Sequence, residues 1–365
     1  MNKKIIISII SFFIVLSLSS NVMAGTVNLP KTGQTKCYDI AGNQIPCART
    51  GQDGEIQAGG AWPNPRFVDN GDGAVTDRLT GLMWTKNANL HSVCITWYQA
   101  MDYVAGMNAG TYQNYGHTDW RVPNINELES LLNADEENTS AWLNSKGFSN
   151  VQPLYYWSST TNAYFPSFAW FAGMRNGFLY DGNKSSNCYY VWPVRAGQCG
   201  GLGDSVISLP KTGQTKSYYS GDDGALQKGV AWPNPRFTDN ADGTVTDNLT
   251  SLMWTKNANA SWGSWQEVLN YVAGMNAGTY QNYGHTDWRV PNRNELRSLV
   301  DYSQYNTAPP QGHLFTDVQA FNYWSSTTLA YSPYGAWFVS RYFDFVYYSN
   351  KSYRFSCLWP VRTGR

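Results

Sequence analysis

Two identical segments carry the residue types that acid–base catalysis requires. Histidine, aspartate and arginine lie close together in residues 117–121 (HTDWR) and again in residues 285–289. The serine pairs at 158–159 and 325–326 would complete a Ser-His-Asp set in principle. The chain lacks a nucleophile-elbow motif around these serines, however, and groups this close along one chain cannot all converge on a substrate.

We therefore interpret the segment as scaffolding, in which Asp119 and Arg121 hydrogen-bond loop backbone and Trp120 lies in the core. No Cys/His cluster has the spacing of zinc ligands. The sequence predicts no cofactor and no metal, and it leans against an enzyme. A hydrolase or oxidase that uses His117 or His285 is the least favoured hypothesis.

Basic side chains offer a different kind of chemistry, the binding of an anion. Arg293 and Arg297 replace an isoleucine and a glutamate of the equivalent earlier segment and lie one helical turn apart. Arg341 and Arg354 lie in loops further on. Guanidinium groups pair well with sulfate or carboxylate, so these four residues are candidate ligand contacts. A solvated helix face is the alternative interpretation of Arg293 and Arg297.

Aromatic residues make up 15% of the chain and are frequent in two diverged regions, residues 161–190 and 328–358. Exposed aromatic faces stack on the apolar faces of sugars and also contact proteins. The candidates for such a surface are Tyr164, Phe165, Tyr331, Tyr334 and Tyr342. Alternate burial within strands is the competing interpretation, and we prefer it for Trp170 and Trp337, which occupy equivalent places.

The frame that positions these residues is repeated almost end to end. Residues 103–124 return letter for letter as residues 271–292, and LPKTGQTK opens both copies, at positions 29 and 209. The period is far too long for a solenoid, so each copy is expected to be a domain with its own core. We place the domains at residues 25–197 and 206–365, with a linker at 198–205.

Each copy reads as a β-hairpin, two helices and aromatic-rich strands. Residues 66–86 alternate as strands around an Asn-Gly-Asp-Gly turn. Trp97, Met101 and Val104 have helical spacing, and Asn124 precedes Glu127 as in a capping box at the start of a second helix. The acidic residues of the turns near Asp69 and Asp239 fit turn chemistry better than a calcium loop, although a bound ion stays open.

Six cysteines indicate an oxidising compartment. Cys37 and Cys47 flank a segment that the second copy lacks, and we expect them to form a disulfide. The other four are Cys94, Cys188, Cys199 and Cys357. Pairing Cys94 with Cys188 and Cys199 with Cys357 is one possibility among those the sequence allows.

The N-terminus reads as a secretory signal peptide, residues 1–24: two lysines, an apolar run too short to span a membrane, and a small-residue cleavage site. No later stretch predicts a membrane span. The net charge is zero, with 11 basic and 14 acidic residues in 25–197 against 13 and 11 in 206–365. This balance excludes the strongly basic field that nucleic-acid binding needs. We expect an exported protein, in the periplasm, at the cell surface or outside the cell.

Ordered motifs in both copies resemble one known family. They are PRF-x-D-N-x-D-G-x-V-T-D-x-L-T, LMWTKNAN, DWRVPNxNEL, YWSSTT and WPVR. Together they are similar to the DUF1566 family, the domain found at the C-terminus of the Legionella collagen-like adhesin. The closing motif has Pro193 and Pro360 where many members carry cysteine, so a bond that those members form there is absent or rerouted in this chain.

The resemblance implies an α+β fold similar to C-type lectins and to formylglycine-generating enzymes, with a hairpin, two helices, a small antiparallel sheet and long loops. It also implies binding of sulfated polysaccharides and formation of homo-oligomers. The formylglycine-type chemistry depends on cysteine, and no cysteine is shared between the copies.

The leading hypothesis is a secreted, non-enzymatic binding or adhesion protein. Its predicted ligand is an acidic or sulfated polysaccharide or a cell-surface glycoconjugate, bound by the diverged aromatic and basic loops. The alternative is a protein–protein interaction module of a surface or periplasmic assembly.

Overall fold

A computed structural model describes residues 26–197, 207–304, 309–340 and 345–364. The predicted signal peptide and linker, together with Cys199, Arg341 and Tyr342, lie outside these residues. The protein is α+β, with few helices and two similar β-rich halves, as the sequence predicted.

The elements follow the same order in both copies, with a few additions in each. Those of the first copy are β1 (Cys37–Tyr38), β2 (Gln44–Ile45), α1 (Asp53–Ile56), β3 (Phe67–Asp69), β4 (Ala74–Asp77), β5 (Leu82–Thr85), α2 (Trp97–Asn108), α3 (Ile125–Ser130), α4 (Thr139–Ser145), β6 (Tyr155–Thr161), β7 (Phe168–Gly173), β8 (Leu179–Asn183) and β9 (Val194–Ala196). Those of the second copy are α5 (Asp223–Leu226), β10 (Phe237–Asp239), β11 (Thr244–Asp247), β12 (Leu252–Thr255), β13 (Ser261–Gly263), α6 (Trp265–Asn276), α7 (Arg293–Ser298), β14 (Asn322–Thr328), β15 (Gly335–Ser340), β16 (Val346–Asn350), β17 (Ser356–Leu358) and β18 (Val361–Thr363).

The predicted hairpin and helices form for the reasons that the sequence indicated. β3 pairs with β4 in an antiparallel ladder, and β5 and β9 extend it to a four-stranded sheet. α2 begins after Thr96, whose hydroxyl caps it, and its apolar stripe is buried. Asn124 and Glu127 form the predicted capping box of α3. The short helix α4, which is capped by Asn138, was not predicted because it carries no long apolar period.

One eight-stranded sheet runs through both copies. Its strand order is β13-β17-β14-β15-β16-β8-β7-β6, so β16 of the second copy lies beside β8 of the first. The two strands are antiparallel and meet at Val346 and Leu179. We call this junction the seam. The strand order therefore relates the copies by an approximate twofold axis through the seam.

Each copy sends an N-terminal arm to the other copy. We define the first arm as residues 26–60 and the second arm as residues 207–230. The Gln34 side chain of the first arm exchanges two hydrogen bonds of 2.8 Å with the backbone of Thr328. Gln214 of the second arm does the same with Thr161, at 2.7 and 3.0 Å. The exchange ties the two copies together by reciprocal contacts.

A buried carboxylate anchors each arm. Asp53 accepts hydrogen bonds from Thr32 of its own arm, at 2.6 Å, and from Thr327 of the second copy, at 2.7 Å. Asp223 is held in the same way by two threonines, one from each copy. Burial raises the pKa of both carboxyl groups to about 6, while the threonine hydroxyls lower it.

The hydrophobic core is partly shared between the copies. The largest cluster includes Trp170 of the first copy and Tyr302 of the second, whose ring centroids are 5.2 Å apart. Two further clusters lie beneath α2 and α6 and belong mainly to one copy each. The expectation of one separate core per copy therefore holds only for these two clusters. Trp170 and Trp337 are buried, as expected.

Two of the cysteine pairs are bonded. Cys37 is joined to Cys47, as predicted, and Cys94 to Cys188, one of the pairings that the sequence left open. Cys357 is a free thiol buried in the sheet, so the suggested bridge to Cys199 is not formed. Within the described ranges, we find no helix with the length and apolar character of a membrane span.

Candidate ligand-binding groove

Strand alternation places aromatic side chains on one face of the eight-stranded sheet. Tyr155, Phe171 and Tyr180 point to this face, because side chains of a strand alternate between its two sides and Phe171 pairs with Tyr180. Their neighbours Tyr156 and Leu179 point to the other face and are buried in the shared core. One side of the sheet therefore faces the shared core. On the other side, Phe171 is buried in the cluster beneath α2, and Tyr155 and Tyr180 keep part of their surface exposed.

The aromatic surface crosses the seam without interruption. Because Leu179 pairs with Val346, the residues that flank them also face each other. The ring centroids of Tyr180 and Phe345 are 5.3 Å apart, and those of Phe178 and Tyr347 are 4.6 Å apart. Each pair takes one ring from each copy. Such contacts lie within the range in which aromatic rings attract each other.

These rings line a shallow groove of about 390 Å³, which we call the seam groove. Its lining residues are Tyr155, Phe171, Phe178, Tyr180, Phe345 and Tyr347. Tyr180 and Tyr347 keep 43% and 38% of their surface exposed, and Tyr347 is also stacked on Tyr348 with ring centroids 5.1 Å apart. None of the described side chains that line the groove is charged. Burial raises the pKa of both Tyr180 and Tyr347, so both hydroxyls stay neutral at ordinary pH.

The four predicted aromatic contacts within the described residues are exposed but are not brought together. Tyr164 and Phe165 pack against each other in the turn between β6 and β7, at a centroid distance of 4.2 Å. Tyr331 and Tyr334 lie in the turn between β14 and β15. Because all strands from β6 to β14 across the seam are antiparallel to their neighbours, the two turns lie at opposite ends of the sheet. No single surface joins these four residues.

The expectation that Arg293 and Arg297 face a ligand is corrected by the structure. Both side chains are buried where α7 faces α3 of the first copy. Glu129 lies between them, with carboxylate oxygens 3.5 Å from Arg293 Nη2 and 3.3 Å from Arg297 Nε. Arg293 also donates to the carbonyl of Gly177, and its guanidinium covers the Trp337 ring at 4.2 Å. Desolvation lowers the pKa of Arg293.

This charge arrangement accounts for the difference between the copies. Glu129 and Arg297 occupy equivalent positions of the repeat. If two domains with the first sequence paired in this way, two glutamates would face each other, and if two domains with the second sequence paired, two arginines would. Pairing of unlike copies places opposite charges together instead. The solvated-face interpretation of the two arginines is therefore wrong as well, since both side chains are buried in an internal interface.

The remaining basic candidate is on the surface. Arg354 is exposed and its Nη1 lies 3.0 Å from Glu267 Oε1 at the start of α6. Arg341 and Tyr342 belong to residues 341–344, which lie outside the described part of the chain.

The side chains of residues 117–121, the candidate acid–base segment, make contacts that hold the fold together. Asp119 pairs with Arg195 at 2.6 Å, Arg121 forms a buried bidentate pair with Glu127, and Trp120 is buried. Asp119 and Arg121 were predicted to hydrogen-bond loop backbone, but their partners are the charged side chains of Arg195 and Glu127. Ser158 is fully buried and donates to a backbone carbonyl, whereas His117 faces Asp72 at 3.7 Å. These contacts do not join the serine to the histidine.

The acidic turns are occupied by protein groups. Asp69 accepts from Lys86 at 2.6 Å and from the backbone of Gly71, and Asp239 accepts from Lys256 in the same way. Among the described residues, no group of three or more acidic, histidine or cysteine side chains is placed to hold a metal ion. The turn interpretation accounts for these carboxylates.

Comparison with known families agrees with the duplicated frame. Residues 73–195 and 243–362 match the family described as the Lcl C-terminal domain. The chain belongs to this family. Its two matched Lcl C-terminal domain segments confirm the predicted resemblance in two tandem copies, and both exchanged arms lie outside them. No curated protein matches the chain.

Sequence reasoning missed all the residues of the seam groove. Phe178 and Tyr180, like Phe345 and Tyr347, alternate with buried aliphatic residues, which is the pattern of a half-exposed strand. That signal was present. What the sequence could not reveal is that β8 and β16 pair with each other, since the repeat predicted two separate sheets.

Proposed function

We propose that this protein is an exported, non-enzymatic binding protein that recognises carbohydrate through the seam groove. The observation that carries the proposal is the partly exposed aromatic surface across the seam. Flat, neutral rings suit the C–H faces of sugars, and the tyrosine hydroxyls supply hydrogen bonds at the edges. The predicted signal peptide and the two disulfides support export. The order of hairpin, helices and sheet supports a C-type-lectin-like arrangement of each copy.

The chemistry of the groove favours sugars that offer apolar faces. An anionic polysaccharide was the sequence-based expectation, but Arg293 and Arg297 are engaged with Glu129 inside the protein. Of the four basic residues that the sequence suggested, Arg354 is exposed on the surface and Arg341 lies outside the described residues. We therefore place ring stacking at the centre of the proposed binding and treat sulfate contacts as additional.

The groove also changes how the repeat would contribute to affinity. Two independent sites on one chain would gain from effective concentration on a polymer. The seam groove instead takes rings from both copies, so one chain provides one composite site. A polymer would gain avidity only where several protein molecules bind along it.

A glycan array tests the proposal with the mature protein and two variants. The double variant Tyr180→Ala/Tyr347→Ala removes both exposed rings of the groove, and Tyr112→Ala removes an exposed tyrosine far from the seam in sequence. Loss of two well-placed rings should weaken binding by more than about tenfold, whereas Tyr112→Ala should bind as wild type. Equal binding by the wild type and the double variant would contradict the seam groove as the binding site. If the folded protein binds no glycan on the array, a protein partner would be favoured.

A further inference from the structure

The two arms rest on equivalent places of the two long helices. Gly221 of the second arm faces Met101 of α2, and Gly51 of the first arm faces Leu269 of α6. Met101 and Leu269 occupy the same position of the repeat. The surface beside each glycine can therefore be compared directly between the copies.

In the first copy, a tyrosine of the second arm fills this surface. The Tyr219 ring lies 5.3 Å from Tyr98 and 5.9 Å from Trp97, between centroids. Its hydroxyl donates a 2.8 Å hydrogen bond to Asp102. The place next to Gly221 thus holds an aromatic ring whose polar end meets an acceptor on the helix.

In the second copy, the equivalent surface is open. Arg49 stands two residues before Gly51, as Tyr219 stands two residues before Gly221. The result is a cavity of about 570 Å³ between the first arm and α6, which we call the arm groove. Leu269 forms its buried apolar floor, and Ile45 and Ile56 of the arm contribute apolar walls.

The polar groups of the arm groove match the end of a phenol. Asn270 takes the position of Asp102, and its Oδ1 accepts one hydrogen bond of 2.9 Å from Gln266, which leaves a second lone pair. Arg49 lies exposed on the rim. The disulfide between Cys37 and Cys47 constrains the inserted hairpin that carries Ile45.

We propose that the arm groove binds a tyrosine side chain of a partner polypeptide that carries acidic residues close to this tyrosine. The ring would lie on Leu269, the hydroxyl would donate to Asn270, and the acidic neighbours would face Arg49. The chain itself provides the precedent for the ring, because Tyr219 fills the equivalent place in the first copy.

The test uses the full mature protein and a fluorescein-labelled peptide with the sequence of residues 217–223 (SYYSGDD). Fluorescence anisotropy should report saturable binding. Replacing the second tyrosine of the peptide by phenylalanine should weaken it about fivefold to tenfold, because the hydroxyl that donates to Asn270 is removed. Replacing that tyrosine by alanine should abolish binding, and replacing both aspartates by asparagine should weaken it.

Two variants of the protein make the test specific. Arg49→Tyr removes the guanidinium that would face the acidic residues of the peptide and adds a ring at the rim of the groove, and it should abolish peptide binding. Asn270→Asp restores the acceptor found in the first copy and should tighten binding about fivefold, since hydrogen bonds to charged groups are stronger. Circular dichroism and thermal unfolding check that both variants are folded.

The remaining outcomes overturn the proposal. An absence of binding, or binding that Arg49→Tyr leaves unchanged, would exclude the arm groove as the site. Equal affinity for N-acetyltyrosinamide and for the peptide would indicate a small-molecule pocket. Self-association of the wild type that Arg49→Tyr abolishes would assign the groove to a second copy of this chain.

Discussion

Tyr180 and Phe345 come from different copies of the repeat, yet their ring centroids lie 5.3 Å apart. The contact exists because β8 and β16 pair at Leu179 and Val346, which aligns the flanking aromatic residues. Neither copy alone contains the groove that these rings line. Duplication has therefore created a surface at the seam, in addition to repeating a domain.

The buried charge cluster between α3 and α7 should be needed for pairing of the copies. Glu129→Ala leaves Arg293 and Arg297 without their carboxylate in a buried position, and removal of one partner from a buried pair costs about 3 kcal/mol or more. Urea unfolding should show this loss in the free energy of unfolding. Glu136→Ala, at an exposed position, is the control and should change it by less than about 0.5 kcal/mol.

A triple variant separates charge from packing at the same place. Glu129→Leu/Arg293→Ile/Arg297→Leu removes all three charged groups together, and should recover most of the stability that Glu129→Ala loses. If Glu129→Ala unfolds at the same urea concentration as the wild type, the cluster does not hold the copies together.

Arg293 and Arg297 illustrate which features could be predicted from the sequence and which could not. Their spacing on one helical face was predicted correctly, and so was the capping box that begins the helix. Whether that face meets water or another copy depends on contacts between residues more than 150 positions apart in the chain. Local patterns specify the helix, hairpin and strand types, but they hold no information on which copy covers which face.

The arm carboxylates should make stability depend on pH in a defined direction. The pKa of Asp53 rises from 3.8 to about 6 on folding, so the folded state binds the proton more tightly than the unfolded chain does. The corresponding stabilisation is complete below about pH 4 and is lost as the pH rises through 6. Asp53→Asn keeps an oxygen acceptor for Thr32 and Thr327 and removes this titration.

The difference in unfolding free energy between Asp53→Asn and the wild type should therefore grow in favour of the variant by about 2 to 3 kcal/mol between pH 4 and pH 7. Chemical unfolding at several pH values measures it. Asp223→Asn, at the equivalent position of the second arm, should behave alike. A constant difference across this range would show that Asp53 titrates as it does in the unfolded chain.

The two disulfides should contribute to stability in the order of the loops that they close. The Cys37–Cys47 bond spans 10 residues and the Cys94–Cys188 bond spans 94. Loop-closure entropy then predicts losses of about 3 and about 5 kcal/mol on removal. Cys37→Ser/Cys47→Ser and Cys94→Ser/Cys188→Ser, compared by urea unfolding, test this order, and a larger loss for the first pair would contradict it.

The arms mark a second limit of prediction from sequence. The LPKTGQT motif showed where each copy begins, but it did not indicate that Gln34 would pair with Thr328 of the other copy. The same arm sequence could form these hydrogen bonds with the backbone of its own copy or with the backbone of the other copy. The choice is made by the global arrangement of the sheet, which the seam determines.

The central claim is that sugar rings stack in the seam groove, and a crystal structure with an oligosaccharide selected from the glycan array tests it most directly. We expect density for a sugar ring whose C–H face lies about 4 Å from the exposed rings of Tyr180 and Tyr347, with its hydroxyl groups directed to the edges of the groove. A ligand that is bound elsewhere on the protein, with the aromatic surface still facing solvent, would contradict the account.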